Sequence, residues 1–338
     1  MEKIKVGFLG SGFIASVHGT ILQEDQRVEI VGVADIVLEN AKKLANKLEG
    51  NIEAVETLDD LIALGVDTVY VTTPNTTHVE PVIQCLDNDL NVFSEKPMAV
   101  TEEGAEKIRA AARKSKGVYN LGMNRRYANT HKKVKEWMEE GVLDPYLGQF
   151  KLNRGELLKP EWTADSSKTG GFLYETTIHQ IDLLPYFFGP VKTVRCEARQ
   201  NLSDNEFDDF AVLVTFENGG IATLVSSAHS GWSFPFEAIE IYGKYATATT
   251  AELETVRLSP GLEQQMISED YSQVPFYEKG GYITEDRLFI DALINNTAPP
   301  VGVDDAYQLT MLVNAIYESA RTGKEIDFAS RVRALKQI

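Results

Sequence analysis

The chain has 338 residues, 43% of them hydrophobic and 25% charged, which are globular values and not those of a disordered or membrane-embedded protein. That length allows two domains with full cores. A net charge of −17, from 33 basic and 50 acidic residues, argues against nucleic acid or an anionic membrane as partner. The two cysteines, Cys85 and Cys196, stand far apart in apolar contexts, and no signal peptide or membrane span is legible before Ile4. A reducing, cytoplasmic setting with buried thiols is the expectation.

The first apolar run, Ile4–Leu9, reads as a strand, and it breaks at Gly10-Ser11-Gly12-Phe13-Ile14-Ala15 before a helical pattern that reaches about Leu22. Strand, glycine turn and helix in that order are the context of a dinucleotide fingerprint: Gly10 for the tight turn, Gly12 for close approach of a pyrophosphate, Ala15 for packing of helix on strand. A second strand over residues 28–35 ends in Asp35, 23 residues after Gly12. A carboxylate there accepts both ribose hydroxyls and repels a 2′-phosphate, which points to NAD without excluding NADP; the plainer alternative is that Asp35 caps the next helix. Helices follow at residues 38–48 and 58–64, a Val/Thr-rich strand at 68–72, and a helix at 78–86. The strand at residues 91–95 then delivers Glu95-Lys96-Pro97 to its carboxyl end, where open α/β sheets bind ligands. Pro97 is expected to hold that turn through a cis bond. A helix capped by Thr101 and a last strand at 118–122 complete a doubly wound parallel sheet.

From about Asn124 the rhythm changes. Residues 130–140 read as a helix, residues 174–188 as another, and then come runs at 193–199, 210–216, 221–227 and 238–242 with no helix between them. The Glu217-Asn218-Gly219-Gly220 link is a hairpin signal. Strands in succession mean antiparallel sheet, so the fold class is α/β: an N-terminal Rossmann domain followed by an α+β domain with a mainly antiparallel sheet. Residues 260–281 read as a long polar loop, and helices are expected at 284–295 and 304–322. The boundary falls near residue 123, giving a dinucleotide domain at 1–123 and a second domain at 124–301.

On the helix of residues 174–188, Glu175, His179 and Asp182 fall at i, i+4 and i+7, one stripe opposite Ile178, Ile181 and Leu184. A histidine flanked by carboxylates suits a general base. A hydrogen-bonded core histidine and a metal ligand are the competing readings, and with five histidines and no second His or Cys nearby, no metal is expected. His18, His131 and His229 are read as structural, on a cofactor-domain helix, a surface-like helix and a strand. His229 is also a low-ranked substrate candidate because it precedes Trp232.

The glycine loop, Thr73-Pro74-Asn75 with His78, Glu95-Lys96-Pro97, and the Gly170-Gly171 lead into His179-x-x-Asp182 occur together and in order. Over essentially its whole length the chain resembles the Gfo/Idh/MocA oxidoreductases, the relatives of glucose–fructose oxidoreductase and inositol dehydrogenase. The resemblance implies oxidation of a ring hydroxyl of a sugar or cyclitol, or the reverse, with NAD or NADP. It implies a last segment, 302–338, folded back on the Rossmann domain, and a homodimer or homotetramer built through the open sheet. Lys96 and His179 resemble the family's catalytic lysine and histidine. Glu175 stands where many members carry aspartate and Thr177 where many carry glycine, so Glu175 is the least secure member of the set. Gly10, Gly12, Phe13, Ile14, Asp35, Thr73, Pro74, Asn75, His78, Glu95, Lys96, Arg126 and Trp162 are implied on the cofactor, and Arg154, Asp182, His229 and Trp232 near the substrate. Glu95 either orients Lys96 or belongs to a backbone network. Two other functions fit the same resemblance: an NAD-dependent glycoside hydrolase or lyase with transient ring oxidation and no net redox, and a non-catalytic sensor of dinucleotide or sugar.

Overall fold

Strongly apolar strands alternating with amphipathic helices leave the first third of the chain one arrangement that covers both faces of a sheet. The computed structural model describes residues 3–155, 157–158, 161–231 and 235–335. Its first elements are β1 (Ile4–Leu9), α1 (Phe13–Leu22), β2 (Val28–Ala34), α2 (Leu38–Lys47), β3 (Glu53–Val55), α3 (Leu58–Ala63), β4 (Thr68–Val71), α4 (Val79–Asp87), β5 (Asn91–Ser94), α5 (Glu102–Ala112) and β6 (Tyr119–Leu121). The six strands are parallel in the order β3-β2-β1-β4-β5-β6. That is the doubly wound dinucleotide order, whose direction reverses beside β1 and β4. All four residues of β4 are buried, so it reads as one unbroken apolar run. At the end of β1, Gly10 has φ +91°, and a Cβ there would lie 2.7 Å from the Thr72 carbonyl oxygen, so only glycine fits. The short β3 shows no period in the sequence and is drawn into the sheet by its pairing with β2.

The second stretch holds α6 (Asn129–Glu139), β7 (Leu147–Asn153), α7 (Ser166–Thr169), a π-helical turn at Leu173–Thr177, α8 (Ile178–Phe188), β8 (Val191–Arg199), β9 (Asp209–Phe216), β10 (Ile221–Ser227), β11 (Glu237–Tyr242), β12 (Thr247–Ala251), β13 (Thr255–Ser259), β14 (Ile267–Asp270) and α9 (Phe276–Lys279). After α10 (Tyr282–Asn295) and α11 (Val303–Thr322), β15 (Ile326–Asp327) and α12 (Phe328–Leu335) close the chain. The nine-stranded sheet runs β14-β13-β12-β11-β7-β10-β9-β8-β15, antiparallel except where β10 meets β7. Burial alternates along β8, β9 and β13, the mark of a sheet with one covered face. Residues 260–281 are not the plain loop the sequence suggests, because β14 and α9 lie within them. β14 leaves most of its residues exposed at the sheet edge and so carries no apolar alternation to read.

The chain divides into two compact units. One comprises the residues up to Met123 with Tyr282–Thr310, the other Asn124–Gly281 with the residues from Met311. This differs from the expected return of 302–338 to the Rossmann domain. Phe289 and Ile290 of α10 join the core of Val6, Phe8 and Phe93, and the Leu121 N–H donates to the Val301 carbonyl at 2.9 Å. The later half of α11 has other partners. Tyr317 Oη accepts the Leu173 N–H at 3.1 Å, Ser319 Oγ accepts the Cys196 N–H at 2.8 Å, and β15 pairs with β8.

Candidate active site

In the first unit the glycine turn and the β2 terminus form one side of a dinucleotide cradle. α1 starts at Gly12 with no capping side chain, so its first N–H groups are available to an anion, and a Cβ at Gly12 would meet open space. Asp35 is held in place by its neighbours: its Oδ2 accepts the Ser11 N–H at 3.0 Å and the Ser11 hydroxyl at 2.6 Å, while Oδ1 accepts the Val37 N–H at 2.9 Å. It therefore does cap the chain after β2, at the carboxyl end of that strand. Phe13 and Ile36 are exposed beside it. At the end of β4, Thr73 Oγ1 is buried without a hydrogen-bond partner among the described residues. An uncapped helix start, an oriented carboxylate and an orphan hydroxyl at the carboxyl ends of parallel strands fit a dinucleotide.

His78 is wholly buried. Its Nδ1 lies 2.7 Å from the Pro97 carbonyl oxygen and its Nε2 2.8 Å from the Thr73 carbonyl oxygen, and burial lowers its pKa. A neutral ring clamped between two turns ties the end of β4 to the lysine turn. The Lys96–Pro97 bond is cis.

The Glu95 carboxylate is held between its own turn and α1. Oε2 accepts the Lys96 backbone N–H at 3.0 Å, and Oε1 lies 3.1 Å from His18 Nε2. The other ring nitrogen of His18 lies 2.9 Å from both oxygens of Asp286, which also accepts from the Tyr70 hydroxyl at 3.2 Å. Tyr70 stacks on Phe93, and Phe93 meets the His18 ring edge to face, so the cluster is sealed by aromatics. Burial alone would push His18 down, but the charge and hydrogen bond of Asp286, with Glu95 behind them, raise it well above the ordinary imidazole range. Burial would push Glu95 up, and the His18 hydrogen bond and charge, with Lys96, hold it below its ordinary value. Asp286 stays raised by burial despite His18. Next to it, Glu285 is pushed well up by burial and then by repulsion from Glu95, so it sits in the core as a neutral acid. In the sequence His18 reads only as a structural histidine, and neither Asp286 nor Glu285 is singled out there.

In the second unit the expected helical stripe is altered at its start. Glu175 lies in the π-helical turn, where the backbone is wider than in an α-helix, and only from Ile178 is the helix α. Glu175 and His179 are partly exposed. Asp182 is 1% exposed, and its oxygens accept from Arg126 Nε at 2.7 Å and Nη2 at 2.6 Å. This bidentate pair holds α8 against the 3₁₀ turn at Asn124–Tyr127. Thr177 places its hydroxyl 2.7 Å from that of Ser226 on β10.

The Arg154 backbone N–H donates to the Ser227 carbonyl at 2.8 Å, which brings Arg154 beside the turn that carries His229. Arg154 stacks its guanidinium 4.9 Å over the Phe236 ring, and Trp162 is half exposed in the 3₁₀ turn Glu161–Ala164. His229 sits in the turn after β10, not within a strand, with Nε2 2.8 Å from Asp209 Oδ2. Trp232 falls outside the described residues. His131 is buried, not on a surface, and burial pushes its imidazole down to about 4. Asp208, Asp209 and His229 bring ligand-type atoms together, but Asp208 is taken up by the backbone N–H groups of Asn201, Leu202 and Ser203.

The first unit is thus a dinucleotide-binding domain with a buried acid network behind a lysine, joined in sequence to an α+β domain carrying a histidine on a π-started helix. Residues 4–123 match the NAD-binding Rossmann fold of an oxidoreductase family and residues 137–328 match that family's C-terminal alpha/beta domain. The chain belongs to the Gfo/Idh/MocA family and is an NAD(P)-dependent dehydrogenase. It is 28% identical to the D-glucoside 3-dehydrogenase of Escherichia coli, covering 96% of this chain and 97% of that one. It is 26% identical to the inositol 2-dehydrogenase of Rubrobacter xylanophilus, covering 95% and 92%. Its fold is shared with levoglucosan dehydrogenase in complex with NADH and L-sorbose, at a TM-score of 0.87 and 18% identity over 97% and 99% of the two chains.

The neutral Glu285 carries a prediction. Its folded pKa is raised above the unfolded value, so the folded state holds a proton that the unfolded chain releases as pH rises above about 4.3. Stability is lost with rising pH by at most about 1.4 kcal/mol per unit until the folded pKa is reached. Glu285→Gln keeps the shape and removes that cost. In thermal unfolding its midpoint should exceed that of wild type by about 2–4 °C or more at pH 8, with the gap closing toward pH 5. A variant less stable at pH 8 than at pH 5, relative to wild type, would contradict the assignment.

Proposed function

We propose that the protein transfers a hydride between a ring hydroxyl carbon of a sugar, cyclitol or derivative and NAD, releasing the hydroxyl proton to its own side chains. The observation that carries this reading is the lysine turn: a cation at the carboxyl end of β5 whose backbone N–H is fixed by a buried carboxylate. When bound, the nicotinamide supplies the hydride acceptor. Lys96, positively charged, stabilises the alkoxide-like oxygen as the carbonyl forms, and His179 takes the hydroxyl proton. One C–H and one O–H bond break, a carbonyl forms, and the reduced dinucleotide and one proton balance the step. Glu175, beside His179 in the π-turn, contributes charge to that histidine. The related dehydrogenases named for inositol and glucosides support a ring secondary alcohol as the substrate class. Asp35, oriented by Ser11, supports NAD over NADP, since a 2′-phosphate would meet its carboxylate.

The open face of the second sheet completes the reading. Leu147, Leu213, Ile221 and Val225 project exposed from β7, β9 and β10, with Ile221 in register with Leu147. A contiguous apolar patch on a sheet suits a second copy of the chain, in a homodimer or homotetramer. The buried, unpaired Cys85 and Cys196 suit a cytoplasmic setting.

Inositols, hexoses, aminosugars and sugar phosphates offered with NAD and with NADP, and followed by nicotinamide absorbance, test the activity. One class should give stoichiometric NADH, and sugar release without net NADH would overturn the dehydrogenase reading in favour of transient oxidation. On the productive substrate, Asp35→Ser should shift the NADP-to-NAD ratio of kcat/KM upward by about tenfold or more. An unchanged ratio would remove Asp35 from cofactor choice. Light scattering should give a mass of at least twice the chain, and a monomer would remove the sheet interface.

A further inference from the structure

The first unit places charge where a stable core does not need it. His18 is wholly buried and meets a carboxylate at each ring nitrogen, Asp286 at 2.9 Å and Glu95 at 3.1 Å. With both carboxylates ionised each only accepts, so both ring nitrogens donate and the ring is an imidazolium. Well-packed apolar residues hold elements together at least as well as buried ion pairs, so burial of three charged groups asks for a reason besides stability. The reason lies at the far end of the chain of contacts. Three elements meet through it: α1, which begins at the glycine turn, α10, and the end of β5 that carries Lys96.

We infer that Asp286 and His18 are positioning residues for Lys96: together they keep Glu95 in place as an anion, and the second oxygen of Glu95 fixes the lysine's backbone N–H. The inference rests on the reading of Lys96 as the group that stabilises the alkoxide-like oxygen. Glu95 has one oxygen on each side of the relay, so whatever moves it on the His18 side is felt at Lys96. The groups facing His18 are Asp286 and, beyond it, Glu285 on α10, Glu95 and Lys96 at the end of β5, Tyr70 on β4, and the rings of Phe93 and Tyr282. Of these only Asp286 and Glu95 hold the imidazole charged. If Asp286 loses its charge, burial prevails and His18 becomes neutral within the working range. A ring that keeps its Nδ1 proton then turns an unprotonated Nε2 toward Glu95, lone pair against lone pair, and Glu95 swings or takes up a proton.

The test is Asp286→Asn, which preserves shape and one acceptor. Its kcat, as a ratio to wild type, should be within about twofold at pH 6 and fall about tenfold by pH 8, the worth of one buried hydrogen bond in the transition state. The dissociation constant for NAD, from nicotinamide or protein fluorescence, should stay within twofold at both pH values. A ratio that does not change with pH, or a loss that follows NAD affinity, overturns the positioning role. The wild-type protein supplies a measurement free of any folding defect. Nitrogen-15 NMR of labelled histidine should show both His18 ring nitrogens protonated from about pH 6 to 8.5, well past the ordinary imidazole midpoint of about 6.5. A neutral ring at pH 8 overturns the relay. Because that measurement needs no substrate, it separates failure of the network from failure of the dehydrogenase reading, which an absence of wild-type turnover would show.

Discussion

A buried carboxylate held on both sides is the constraint on which the first unit depends. Glu95 lies at the end of β5 with its charge balanced by His18 on one oxygen and its other oxygen occupied by the next residue's backbone N–H. An anion in a water-free interior is tolerated only when its lone pairs are filled, and removal of one partner of such a pair costs about 3–5 kcal/mol. The nucleotide helix α1, the lysine turn and helix α10 therefore cannot shift independently without leaving a charge unpaired. His78 adds a second tie from the opposite side, between the end of β4 and Pro97. The side chain of Lys96 projects from a backbone that is fixed at several atoms, which is the preorganisation that electrostatic catalysis requires.

The second unit repeats the device on a different scale. Arg126 and Asp182 form a two-pronged ion pair with the carboxylate buried, and this pins α8 one turn beyond His179. His179 is carried on a helix fixed after it by charge and begun before it by a π-turn, where Thr177 reaches Ser226 of the sheet. The wider turn gives Glu175 a placement that an α-helix would not. Glu175 and Thr177 both lie within this one turn, so a change at either is felt by the other through the same backbone.

Much of this was legible in the sequence, and the divide follows the range of the physics. β1, β2, α1 and α5 appear with correct type and nearly correct ends, because strand and helix periods are local and their caps are adjacent residues. Asp35 and Lys96 are found because each ends a strand, and the parallel sheet sends strand ends to one edge. What the sequence does not display is pairing across long separations. His18 and Asp286 lie 268 residues apart, and no spacing rule joins them. A signal was present all the same: Asp286 interrupts the apolar stripe of Tyr282, Phe289, Ile290 and Leu293 on α10, and a polar residue on a core face has to have a partner. The Arg126–Asp182 pair is hidden for the same reason, since its partners lie 56 residues apart. β12 and β14 were missed because one is built of threonine and alanine and the other is mostly exposed, so neither carries a run of large apolar residues.

The central claim is that Lys96 stabilises the oxygen from which the hydroxyl proton departs, and single-turnover hydride transfer with Lys96→Met measures this most directly. Methionine keeps the length and apolar stem of lysine and removes only the charge. The account predicts a fall in the rate of NADH formation of about a hundredfold or more, with the dissociation constant for NAD unchanged within about twofold. Hydride transfer at the wild-type rate in that variant would contradict it.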